Sequence, residues 1–74
     1  MNNDIIRTAI GANIAALGEL LDTAQLRVSE ASKAMNEGEQ NQAIGTMIDM
    51  DQMLENALAL YRAAIALHRA GRTS

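Results

Sequence analysis

Hydrophobic residues recur along this chain at alternating steps of four and three. Ile10, Ile14, Leu17, Leu21, Ala24, Val28, Ala31 and Met35 form one series. Ala43, Met47, Met50, Leu54, Ala57, Tyr61, Ala64 and His68 form another. This period marks a helix that lays one stripe against a partner helix. In heptad terms Ile14, Leu21, Val28 and Met35 take the a positions of the first helix, and Ile10, Leu17, Ala24 and Ala31 the d positions. In the second helix Met47, Leu54, Tyr61 and His68 are a, and Ala43, Met50, Ala57 and Ala64 are d.

The two series are separated by the polar run Asn36-Glu37-Gly38-Glu39-Gln40-Asn41. Gly38 suits a left-handed helix end because it has no Cβ to clash. Asp4, with Asn2 and Asn3, offers a helix start, and Gly71 followed by Arg-Thr-Ser offers a helix end. The expected layout is a single helical-hairpin domain over 1–74, with helix one at about 4–36, a turn at 37–39 and helix two at about 40–70. Each helix is then roughly 32 residues and about 50 Å long. A turn this short makes the helices antiparallel.

Folding the chain near residue 37 predicts the layers between them. Ile14 meets Tyr61, Leu21 meets Leu54 and Val28 meets Met47 in the a layers. Ile10 meets Ala64, Leu17 meets Ala57 and Ala24 meets Met50 in the d layers, matching large with small side chains as interdigitation requires. Gly11, Ala15 and Gly18 make a small-residue stripe. An interior glycine costs a helix about 1 kcal/mol relative to alanine, so the stripe predicts close approach of another backbone. Gly45 falls on an outer face, where periodicity supplies no reason for it.

Composition supports the all-α class. The apolar residues are mainly Ala, Leu, Ile and Met, Tyr61 is the sole aromatic residue, and proline is absent. Such residues favour helices, whereas strands favour aromatic and β-branched ones. Seventy-four residues make a marginal core, and small folds gain support from disulfides, metals or partners. With no cysteine and one histidine, disulfides and a Cys/His zinc site are excluded. Association with another chain is the support that remains.

More apolar surface is present than one hairpin seam hides. Ile6 and Leu20 flank the predicted seam on helix one. Ile44, Leu58 and Ile65 flank one side of helix two, and Met53, Leu60 and Leu67 the other. An arc this wide predicts an interface, closed by a two-fold dimer in a four-helix bundle or by the helix of another protein. Asp51 interrupts the Ile44, Leu58, Ile65 row, while Asn13 and Arg27 interrupt the Ile6, Leu20 row. Either Asp51 pairs with Arg27 to set the register of an assembly, or both rows face water at those points.

Chemistry is sparse. No inward Glu-x-x-His pair exists for a di-metal bundle, and Asp49, Asp51 and Glu55 point in different directions around a helix. Ser29 and Ser32 have no neighbouring base, and no phosphate-binding glycine loop occurs. No catalytic residue, cofactor or metal site is expected. Met47 and Met50 read as core and Met53 as interface. The net charge of −3 argues against general nucleic-acid binding, which needs a basic footprint. Charge is polarised, however. Arg7, Arg62, His68, Arg69 and Arg72 gather toward the open end as a candidate basic patch, while Glu30, Glu37, Glu39, Asp49 and Asp51 lie toward the turn. Helix-dipole complementation is the simpler account of the basic end. The chain shows no signal peptide and no membrane span, so a cytoplasmic location is expected.

In length, seam and turn the chain resembles the Rop-type helical hairpins, which dimerise into four-helix bundles and modulate RNA pairing. Gly38-Glu39-Gln40-Asn41-Gln42-Ala43-Ile44 also looks like the helix-to-helix corner of a tetratricopeptide repeat. In size and shape the chain is similar to small helical chaperones of bacterial secretion systems. These features together lead to the expectation of a non-enzymatic protein-interaction module, acting through helix packing as a homodimer or higher oligomer and with another protein as partner. The alternative is a Rop-like nucleic-acid regulator that uses the basic open end.

Overall fold

The computed structural model describes residues 3–73; Asn2 and Ser74, invoked above at the helix ends, lie outside them. Helix α1 spans Asn3–Asn36. The return arm is divided into α2, Gln40–Ile48, and α3, Asp51–Thr73. No strand occurs among the described residues. Both return helices pack on α1, giving a rod-like helical hairpin of 55 × 14 × 12 Å.

The reversal is built from backbone hydrogen bonds around Gly38. Gly38 has φ +80°, the one positive value among the described residues. Its N–H donates to the carbonyl of Met35 at 3.1 Å, and the Glu39 N–H donates to that of Ala34 at 2.8 Å. These two bonds make a Schellman motif, which satisfies carbonyls that a helix end otherwise leaves open. The same turn brings Ala31, Ala34 and Ala43 into one buried cluster. Ala43 is the most enclosed of these, at 2% exposure, because three methyl side chains let the arms approach closely.

The predicted second helix is interrupted at Asp49 and Met50. The Asp49 N–H reaches back to the Gly45 carbonyl at 3.2 Å, the Met50 N–H to Met47 at 3.1 Å, and the Leu54 N–H starts α3 from the Met50 carbonyl at 2.9 Å. The tightened i to i−3 step closes α2. Asp51 then occupies the first turn of α3, where a carboxylate opposes the positive end of the helix dipole. Met50 remains buried within the interruption, so the seven-residue spacing from Ala43 through Met50 to Ala57 is unbroken.

The seam itself is rotated by one row from the predicted one. The d rows are in place: Ala24, Ala31, Ala43, Met50 and Ala57 are buried, while Ile10, Leu17 and Ala64 are half-buried. The predicted a rows are outside. Ile14, Leu21, Val28, Met35, Met47, Leu54 and Tyr61 are all exposed, as is His68. Their places are taken by Ile6 and Ala34, which are buried, and by Asn13, Leu20, Thr46, Met53, Leu60 and Leu67, which are half-buried. The chain carries two overlapping heptad seams that share the d row. The alanine contact at the turn selects the seam that contains Ala34.

Polar groups in this seam find local partners. The Thr23 hydroxyl donates to the Glu19 carbonyl and the Thr46 hydroxyl to the Gln42 carbonyl, both at 3.1 Å. Among the described residues, no buried side-chain nitrogen or oxygen lacks a hydrogen bond.

Candidate functional site

The rotation of the seam determines what the outside displays. Residues of α1 one row beyond the seam are Ile14, Leu21, Val28 and Met35. On the return arm the corresponding row is Met47, Leu54 and Tyr61, and the next row adds Ile44, Leu58 and Ile65. In an antiparallel pair, rows displaced in the same rotational sense from the shared seam emerge on the same side of the hairpin. These residues therefore form one continuous apolar face running almost the length of the rod. Leu21 and Leu54 at its centre are 51% and 48% exposed, and Tyr61 is 53% exposed. Ile5, Leu26 and Ile48 are exposed as well, but they lie on other sides and are scattered, as single apolar residues commonly are.

The sequence-predicted interface divides between the two surfaces. Ile44, Leu58 and Ile65 belong to the outer face. Ile6, Leu20, Met53, Leu60 and Leu67 line the seam between the arms instead, which corrects their expected position beside it. Met47, read as core, is outside, and Met53, read as interface, is inside. The missed signal was the alternation of size near the turn: alanine recurs at Ala31, Ala34 and Ala43, where the arms must come closest.

Gly11 and Gly18 lie next to this face. A Cβ built at either would have nothing within 4 Å, so the expected close backbone approach is not made within the chain. At the open end a different contact is tight: a Cβ on Gly71 would come within 3.2 Å of the Ile6 side-chain Cδ1 atom. Arg27 forms an ion pair with Glu30 at 3.1 Å on the surface of α1 and not with Asp51 of the same chain.

At the open end Arg7, His68 and Arg72 line a shallow cleft with Asn3, Ile6, Ile10 and Gly71, of about 250 Å³. Arg62 and Arg69 are exposed on α3 outside the cleft, so the predicted basic patch separates into two groups. No cluster of three or more His, Cys, Asp or Glu residues able to hold a metal occurs among the described residues. No helix of the described residues is long and apolar enough to cross a membrane.

Compared with protein-family models, with curated proteins and with solved structures, the chain matches none. The functional reading therefore rests on the molecule's own surfaces.

Proposed function

We propose that this chain is a non-enzymatic protein-interaction module that works by helix packing, with its outer face closed by self-association into a four-helix bundle. The observation that supports this reading is an inversion of burial. The buried set is Ile6, Met50 and five alanines, while the leucines, isoleucines and tyrosine of the outer face stand in water. Fully burying a large aliphatic side chain yields about 1.5–3 kcal/mol, and the outer-face residues, about half exposed, retain a good part of that for a partner to release. A contiguous patch of this kind marks an interface, and a two-fold dimer covers the same patch on both copies at once.

Sedimentation equilibrium of the full chain across micromolar concentrations tests the reading. The expected species has twice the monomer mass and dissociates to monomer when Leu21→Glu and Leu58→Glu are combined. A well-folded monomer at every concentration overturns it.

A further inference from the structure

The charged residues are distributed unequally between the two halves of the rod. The open half, residues 1–20 and 57–74, carries four arginines against Asp4 and Glu19. The turn half, residues 21–56, carries seven acids against Arg27 and Lys33. Two hairpins meeting through their apolar faces can place both turns at one end, or the turns at opposite ends. The first arrangement sets Asp22, Asp51 and Glu55, the acids of the turn half that share or flank the apolar face, beside the same acids of the partner. The second sets each basic half beside an acidic one. At physiological salt only charges within about 8 Å act strongly on one another, which is the reach of side chains flanking a helix interface.

We infer that the outer face is covered by a second copy of this chain lying head to tail, with α1 against the partner's α1 and α3 against the partner's α3. This rests on the reading above that the face is a protein interface, and it specifies the occupant and its direction. Side-chain size agrees with the charge. A two-fold axis crossing α1 between Gly18 and Leu21 brings Gly18 opposite the partner's Leu21 and Gly11 opposite the partner's Val28. The open space at both glycines is then filled by large side chains, which accounts for glycine inside a long helix.

The return arm presents its apolar row at the same axis. Ile6 against Gly71 and Ala34 beside Ala43 set the pairing of the arms, and counting heptads inward from either contact puts Leu20 level with Ala57. The axis therefore crosses α3 between Ala57 and Leu58, within one helical turn of Leu54. Leu54 then lies beside the partner's Tyr61, across the axis from its own Leu58.

The chain has no cysteine, so Gln42→Cys gives a single spin-label site, exposed and on the side of α2 away from the apolar face. Pulsed electron-electron distance measurement on the labelled full chain, with its mass determined in parallel, tests the proposal. The head-to-tail dimer places the two labels about 45 Å apart along the rod by helical rise. A dimer whose labels lie within about 30 Å, the reach of neighbouring helices, overturns the direction while leaving the interface reading intact. A monomer at every concentration overturns both. Salt supplies an independent sign: raising it weakens a head-to-tail dimer and tightens one with turns together.

Discussion

The two long surfaces of this hairpin differ in the size of the side chains at their most enclosed and most exposed positions. The inner seam is most fully buried at five alanines, Ile6 and Met50, with Ile10, Leu17, Leu20, Met53, Leu60 and Leu67 half-buried beside them. The outer face carries Leu21, Leu54, Leu58, Ile14, Ile65 and Tyr61 in water. Small side chains inside let the arms lie close and keep the rod thin, but they return little free energy per residue. Large side chains outside would return much more, once something covers them. The inner seam therefore sets the shape, and in the proposed assembly the outer face supplies the driving force.

The sharpest way to break this contrast is to charge the outer face. Leu21→Glu with Leu58→Glu should weaken self-association by at least about 100-fold, since an unpaired carboxylate in an interface costs on the order of 3 kcal/mol. Sedimentation equilibrium reads that loss, while circular dichroism should still report a helical chain. Overfilling the inner seam probes the other surface. Ala43→Leu places a large side chain at the tightest point of the turn and should lower stability by roughly 1–3 kcal/mol, read by urea denaturation. Gly38→Ala tests the reversal on which both surfaces depend. A Cβ at φ +80° costs about 1–2 kcal/mol, visible as a lower thermal midpoint. Gly18→Ala is the most diagnostic of the smaller changes. It should stabilise an uncovered helix by about 1 kcal/mol and weaken a dimer in which the partner's Leu21 fills that space, so stability and affinity move in opposite directions. Arg27→Ala removes an exposed ion pair and should change stability by less than about 0.5 kcal/mol.

Helical class and the reversal at Gly38 were legible in the sequence, because period, composition and a glycine within a polar run agree. The choice of seam was not. Both Leu21 and Leu20 lie on rows that continue a heptad pattern through Leu17 and Ala24, and hydrophobicity favours the row with Leu21, since its rival contains Asn13 and Arg27. What separates them is steric: the turn needs Ala31, Ala34 and Ala43 together, and that contact carries Leu20 inward and Leu21 outward. The interruption at Asp49–Met50 was equally hidden. It has neither proline nor glycine at the break, and the heptad spacing passes through it unchanged. For the candidate interface, Ile44, Leu58 and Ile65 were identifiable as surplus apolar residues. Ile14, Leu54 and Tyr61 were assigned to the core because the pattern cannot distinguish two seams that share a row.

The interruption also gives the rod a weak segment. Helix α2 has nine residues, too few to persist in water without tertiary support. It is capped by no side chain at Glu39 and is separated from α3 by the step at Asp49. Its order depends on the alanine contact with α1, so its amide protons should be the first within the return arm to exchange with deuterium, ahead of those in the middle of α3.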